Sequence, residues 1–520
     1  MSDKLARLAR LGAKAIPAVR AAVYESAAAT RRTLNWRAPT TYPNAVLPDL
    51  RMLRDRSRGA TRNDGFAKGV IDDLVSNIIG TGMKPLCQVK NNEAFRSEVE
   101  ALWTLWTDEA DADGQSDFYG LQSLVTRAWL EAGEVFVRLR PRFLTDGLTV
   151  PLQLQLLEPE QCPESYTTIA PNGNRIKAGI EFSPIGKRVA YYFYLSVPGA
   201  SSDLDTSKLV RVPADSVLHV YKQMRPGQLR GLPHLTQALV RLRELDKFSD
   251  ALLLRQQLSA MFVAFLKNMS NESGDALTGE TTTDEQDRPV LAMEPGAFQA
   301  LAPGEEVQFS DPPDVPGSYQ DYMKGHLYAV AAATGVPYAV LTGDMSGLND
   351  RVMRVILHEF RRRIQADQHQ TIAFQLNRPV YSAWLAAAAE SGALAVPVDY
   401  YTNPRAYDTV LWMPQGWPYI HPVQDVQAAK EAIRNGLTSR AATVAAQGED
   451  AAVIDAQQAA DNERADKLGL KYDSDGRSGG AAPAPFGQPA APAPGEDPPE
   501  EPAEEPDADP NEPPAGGEEQ

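Results

Sequence analysis

The sequence predicts a mixed α+β protein whose sheets are antiparallel. Three patterns carry that reading: helical spacing of apolar residues between Leu50 and Ala132, period-two alternation between Val135 and Tyr221, and a Gly- and Pro-free stretch over 236–266. Leu50 to Ile79 and Glu93 to Trp106 space their apolar residues as helices, and Ser116 to Ala132 sets Phe118, Leu121, Leu124, Val125 and Trp129 on one side. In the next segment Val135, Val137 and Leu139 alternate with Phe136, Arg138 and Arg140, and Leu152, Leu154 and Leu156 alternate with glutamines. Asn172-Gly173 signals a tight turn before Arg175 to Phe182. Pro184 to Lys187 turns the chain into Val189 to Val197, and Ser216 to Tyr221 is a last strand.

Residues 236–266 would make on the order of 46 Å of helix at 1.5 Å per residue, with Leu239, Leu242, Leu245, Phe248 and Leu252 on one face. A polar segment follows, with strand-like stretches at Val290 and Val307, then a helix over Tyr319 to Thr334. Beyond the loop Leu341 to Asn349, a long helix spans about Asp350 to Glu390 with a kink expected at Pro379, because proline lacks the N–H and crowds the preceding turn. Val423 to Leu470 is Ala-rich and helical. No internal repeat is present.

The 520 residues carry 51 Lys and Arg against 68 Asp and Glu, a net −17 that is unevenly spread. Residues 1–62 hold thirteen bases against four acids. Residues 478–520 hold eleven acids, no base and twelve prolines, a composition that predicts disorder. An acidic body argues against tight sequence-independent duplex binding, which depends on neutralising phosphates. The basic amino end, an amphipathic helix over 3–30 interrupted at Pro17, remains a candidate for contact with nucleic acid or an acidic partner. The best apolar run, Leu258 to Leu266, is far short of the roughly 18 residues of a membrane span. Lys4, Arg7, Arg10, Lys14 and Arg20 interrupt any signal-peptide core, and two cysteines, Cys87 and Cys162, fit a reducing compartment.

Catalytic patterns do not assemble. Gly186-Lys187 lacks the rest of a phosphate-cradling loop, and Gly80-Thr81-Gly82 lacks the third glycine and the preceding strand of a dinucleotide site. His358 and His369 return to one helix face but about 16 Å apart, whereas zinc ligands lie about 2 Å from the ion. Arg51, Arg54 and Arg58 share a helix face and Arg361, Arg362 and Arg363 end another; they suit either phosphates or ion pairs with acidic neighbours. Trp103, Trp106 and Trp129 read as core.

The runs Arg58-Gly-Ala-Thr-Arg-Asn-Asp-Gly-Phe-Ala67 and Ile71-Asp-Asp-Leu-Val-Ser-Asn-Ile-Ile-Gly-Thr-Gly-Met-Lys-Pro85, with the segments that follow them in order, resemble the lambda-type phage portal proteins. Asp117-Phe-Tyr-Gly-Leu121, Gly133-Glu-Val-Phe-Val-Arg138 and Leu154-Gln-Leu-Leu-Glu-Pro159 come next, then Gly179-Ile-Glu-Phe182 and Val217-Leu-His-Val-Tyr221. Arg225-Pro-Gly-Gln-Leu-Arg-Gly-Leu-Pro233, Gly335-Val-Pro-Tyr338, Leu341-Thr-Gly-Asp344 and Gly436-Leu-Thr438 complete it, over about 45–470. The sequence departs from the family where Asn349 is followed by Asp350 and Arg351 rather than by a small-hydroxyl pair.

The resemblance implies a non-catalytic subunit of a homododecameric ring at one capsid vertex, through which double-stranded DNA is packaged and ejected without sequence preference. Implied partners are other copies of the chain, the terminase large subunit, the major capsid or scaffold protein and the head–tail connector proteins; no cofactor, metal or membrane is implied. The implied place is the virion, with the host cytoplasm during assembly. By the same analogy 1–41 is a basic arm, 42–233 the wing, 234–267 a stem helix, 268–317 the clip and 318–337 a second stem helix. The tunnel loop would be 338–350, with Gly343, Asp344, Met345, Ser346, Gly347, Leu348 and Asn349 facing the channel. Residues 351–419 would be the long kinked helix and return to the wing, 420–472 the helical crown, and 478–520 a disordered acidic tail. Three alternatives stay open: another structural head-completion ring, a nucleic-acid-binding assembly protein acting through 1–62, and a metal hydrolase built on His358, Glu359 and Asp367.

Overall fold

The computed structural model describes residues 42–90, 92–198, 208–260, 319–472 and 477, and four strands between 264 and 309. The expected helix over 3–30, the tail over 478–520 and most of 268–317 lie outside the described residues. The chain divides into two compact units, 1–450 and 451–520.

Helical spacing between Leu50 and Ile79 resolves into two helices, α1 (Leu50–Asn63) and α2 (Gly65–Ile78). The break is Asp64, whose extended backbone stops α1 and whose carboxylate accepts the Phe66 and Ala67 N–H groups that begin α2. Strand β1 (Lys84–Cys87) precedes α3 (Glu93–Thr107), which Asn92 caps through the Phe95 N–H at 3.1 Å. Helix α4 (Phe118–Ala132) is capped by Asp117 and stopped by Gly133 at φ +90°.

Two antiparallel sheets follow. β2 (Glu134–Pro141), β3 (Leu152–Leu157) and, later in the chain, Val217–Tyr221 make a three-stranded sheet with β2 in the middle. Between them β4 (Thr168–Ile169), β5 (Arg175–Lys177), β6 (Ile180–Phe182), β7 (Arg188–Tyr194) and β8 (Leu209–Pro213) form a five-stranded meander, and Val217–Tyr221 is β9. Alternation assigned Phe136 to the outer face of β2, yet it is fully buried. Its ring lies 5.1 Å from Phe193 and 5.7 Å from Tyr191, so the meander covers the face that would otherwise meet water.

Helix α5 (Leu239–Ala260) is shorter than the expected 236–266. Ala264–Asn268 is not helix but strand β10, paired antiparallel with Glu305–Phe309 (β13); between them Thr281–Thr283 (β11) pairs with Pro289–Leu291 (β12). The aromatic-rich sequence around Phe265 suits a pleated strand once a partner exists, and a partner about 40 residues away is invisible to local spacing. Helix α6 (Tyr319–Thr334) falls where its periodicity places it, and a short helix α7 (Tyr338–Thr342) follows.

The long helix expected from Asp350 is helical throughout, as α8 (Asp350–Asp367), a wider π-helical segment (Gln368–Asn377) and α9 (Arg378–Ser391). Pro379 follows this wider winding, in the first turn of α9, and the Arg378 N–H just before it reaches the Ala373 carbonyl five residues back. The segment brings three amide side chains inward. Gln375 exchanges two hydrogen bonds with the backbone of Tyr221 at 3.0 and 3.1 Å, sealing the free edge of β9. Gln368 donates to the Ile78 carbonyl at the end of α2, and Asn377 accepts from Gln122, which itself holds the backbone of Met83.

β14 (Val410–Met413) pairs with β1, closing the core. At its centre Trp103 packs 4.9 Å from Trp384 and 5.0 Å from Trp106, with Phe118, Tyr381 and Trp412 around them. The Ala-rich end is broken by Gly436 and Gly448 into α10 (Pro422–Arg434), α11 (Arg440–Ala445) and, in the second unit, α12 (Ala451–Leu468). Among the described residues no helix is long and apolar enough to cross a membrane, and both cysteines are free and buried.

Candidate functional site

Residues Gly343 to Asn349 form one surface turn between α7 and α8. Gly343 ends α7 in the left-handed region at φ +70°, and Gly347 repeats it at φ +72°, conformations that cost glycine little. Asp344 organises the turn. One carboxylate oxygen accepts the Ser346 N–H at 3.0 Å and the Ser346 hydroxyl, and the other accepts the Tyr338 hydroxyl at 3.2 Å, with the Lys324 ammonium 3.8 Å away. The Ser346 hydroxyl, then its N–H, hold this carboxyl below the usual carboxylate range. Asn349 caps α8 by accepting the Val352 N–H at 2.9 Å, and the next residue, Asp350, pairs with His421 at 2.6 Å. Met345, Ser346, Gly347 and Asn349 are exposed; Asp344 and Leu348 are half-buried. A loop of one carboxylate, one hydroxyl, one amide and two glycines has no activated nucleophile. It can present a smooth, weakly acidic surface.

Behind the turn an open groove of about 510 Å³ separates α6 and α7 from α8. Its apolar walls include Tyr328, Val336, Leu348, Val355 and Phe360. Sequence reading placed Tyr338 in the expected loop 338–350 without a role and missed Lys324, which joins the loop to α6; nothing in its spacing marks it, since it meets Asp344 only through the helix–turn geometry.

The family-like segments converge elsewhere, on a buried carboxylate. Glu134, fully buried at the start of β2, takes Arg54 from α1, Arg230 at 2.7 Å, the Gly231 N–H at 2.9 Å and His219 at 2.8 Å. Burial alone would raise its pKa, but the Arg230 and Arg54 guanidiniums override this and hold it well below the carboxylate range. Arg230 also donates to the carbonyls of Cys162 and Ala178 at 2.9 and 3.0 Å and of Pro159 at 3.2 Å, so its fork is filled. Arg188 donates to His219 Nδ1 at 3.1 Å; because a guanidinium only donates, the imidazole proton sits on Nε2 and points at Glu134. Burial pushes the His219 pKa down to about 4, so it is neutral. Thus Gly133 to Arg138, Val217 to Tyr221 and Arg225 to Pro233, separate along the chain, form one ion cluster that joins α1, both sheets and the segment entering α5.

Two arginines named as phosphate candidates are therefore engaged by carboxylates, Arg54 buried and Arg58 half-buried. Arg54 lies inside the cluster, and Arg58 pairs with Glu158 and with Glu160 at 2.8 Å. Arg51 is exposed. Arg361 lies over the Trp417 ring at 5.2 Å, while Arg362 and Arg363 flank Glu359. Asp367, offered as a metal ligand, pairs with Lys222 at 2.6 Å, and His358 and His369 are exposed. Among the described residues no group of three His, Cys, Asp or Glu is placed to hold a metal.

The family model described as phage portal protein, lambda family, matches residues 29–368. The chain is 25% identical over 471 residues to the probable portal protein of Halomonas phage phiHAP-1, covering 86% of this chain and 87% of that one. It is 21% identical over 477 residues to portal protein B of Escherichia phage lambda, covering 84% and 88%. A chain from the neck of an empty gene transfer agent particle is similar with a TM-score of 0.43 and 13% identity, covering 80% of this chain and 98% of that one. With the greater part of its length matched by that family model, this chain belongs to the lambda family of phage portal proteins.

Proposed function

We propose that this portal protein assembles as a homododecameric ring at one capsid vertex and forms the channel for DNA packaging and ejection. The family match over 29–368 is the observation that carries the reading. Ring closure needs a head-to-tail interface whose rotation closes. Exposed Val240, Leu253 and Leu254 on α5 and Tyr328 on α6 are apolar surface that a neighbouring copy would cover. In this reading 42–233 is the wing, 234–267 and 318–337 the stem, and 268–317 the clip that meets the terminase large subunit and later the connector proteins. Residues 351–419 are the long kinked helix and the return to the wing, and 420–472 form the helical crown.

The turn Gly343 to Asn349 faces the channel, and its role is steric and electrostatic. Its exposed glycines, hydroxyl and single carboxylate suit a wall past which a polyanion slides without being held. Solution mass with negative-stain imaging of the full-length protein tests the ring: about a dozen subunits around a central hole supports it, and a monomer that persists beside capsid and scaffold protein counts against it. Ser346→Arg and Ser346→Trp test the loop. Both should reduce DNA filling while rings still form, and normal filling would remove the loop from the channel.

A further inference from the structure

We propose that Lys324 is the positioning residue of the Gly343–Asn349 loop, fixing Asp344 to α6 so that the first half of the loop follows α6 while Asn349 stays anchored on α8. The inference rests on the channel reading for its functional meaning but on geometry for its substance. Beyond the bonds to the adjoining α7, from the Gly343 N–H to the Ala339 carbonyl at 3.0 Å and from the Asp344 N–H to the Thr342 hydroxyl at 3.2 Å, the ties of the loop's first half run toward α6. Lys324 lies 3.8 Å from Asp344 Oδ2 and sits over the Tyr338 ring at 5.8 Å. Tyr338 donates to the same carboxylate, and its ring stacks on Tyr328 of α6 at 4.4 Å. Toward α8 there is instead the open groove of about 510 Å³, across which Val355 stands 65% exposed.

The loop thus has a braced side and an unbraced side. The turn itself is held internally by Asp344 and Ser346, so it behaves as a small preformed piece. Its orientation is set by what grips that piece from outside, and the cationic grip is Lys324. Tyr338 alone would leave Asp344 with a neutral donor on that oxygen, and the aliphatic stem and charge of Lys324 clamp carboxylate and ring together. A shift of α6 along its axis is then delivered to Ser346 and Gly347, both exposed.

The test is amide hydrogen exchange of the full-length protein, resolved for 346–348, with DNA filling of particles measured in parallel. Lys324→Met and Asp344→Asn should each speed exchange there by about threefold, within the range for a partly exposed ion pair. The double variant should add nothing beyond either single one, Lys324→Arg should behave as wild type, and amides 327–334 in α6 should not change. Unchanged loop exchange in Lys324→Met, or full additivity in the double variant, overturns the proposal. Faster loop exchange with normal DNA filling keeps the keying and removes the channel reading, so the two fail separately.

Discussion

His219 gives its only ring proton to Glu134, because Arg188 occupies the other ring nitrogen at 3.1 Å. The unfolded imidazole protonates near its ordinary 6.5, the folded one only near 4. Between those values the unfolded chain binds the extra proton, so the stability owed to this histidine falls as pH drops from about 6.5 to about 4, and this one contribution is level below. The contribution is on the order of 3 kcal/mol. His219→Gln keeps a donor for Glu134 and an acceptor for Arg188 while removing the titration. Its thermal midpoint should trail wild type at pH 7 and close the gap by pH 4.5; a gap that stays constant over that range would refute the assignment.

Removing the carboxylate should cost far more than removing the histidine. Glu134→Gln leaves Arg230 buried without its paired carboxylate and Arg54 with only Glu164, 3.6 Å away, and stranding a buried partner costs about 3–5 kcal/mol. Adding Arg54→Met to Glu134→Gln should recover part of the loss, since one stranded cation is then gone. Denaturant unfolding reads both, and a single-variant loss below about 1 kcal/mol would show that the cluster is hydrated.

The turn that delivers Arg230 leaves no space for a side chain. A Cβ on Gly231 would lie 1.9 Å from the Gly133 carbonyl oxygen, and one on Gly133 would lie 2.4 Å from the Leu232 carbonyl carbon. Backbone is the obstacle in both cases, so relaxation must move a strand. Gly231→Ala is expected to destabilise by about 3 kcal/mol or more, visible as a lowered melting point; a wild-type melting curve would disprove the close approach.

Gln375 should prove a strand in miniature. Gln375→Ala removes two hydrogen bonds, worth about 1 kcal/mol each, and frees the Tyr221 amide. Exchange of that amide should quicken, with Val220 on the paired side of β9 unaffected. Gln375→Glu keeps an acceptor for the Tyr221 N–H but sets a carboxylate against the Tyr221 carbonyl, so that amide should exchange more slowly than in Gln375→Ala; equal exchange in both variants would contradict the two-way bond.

What could be read from sequence was local. Tyr319 to Thr334 became helix at its stated bounds, and Asn172-Gly173 and Pro184 to Lys187 turned the chain where their residue types require. What escaped was set by distant partners. The charge on Arg54 disguises a core position made tolerable by distant partners, Glu134 80 residues on and Glu164 beyond it. Strand β10 looked helical because its pairing strand lies beyond any periodicity window. The loop's residues were legible as a unit, while its hold on α6 through Lys324 depends on a fold that no spacing reveals.

The pairing of Lys84–Cys87 with Val410–Met413 also sets a timetable. β1 leaves the ribosome more than 300 residues before its partner, on the order of tens of seconds at ordinary rates of synthesis. Throughout that interval its backbone edge has no β14 to close it, and an open strand edge invites pairing with another chain. A nascent subunit is therefore most exposed to wrong partners while it is still being made. Any truncation before Val410 would make that transient hazard permanent.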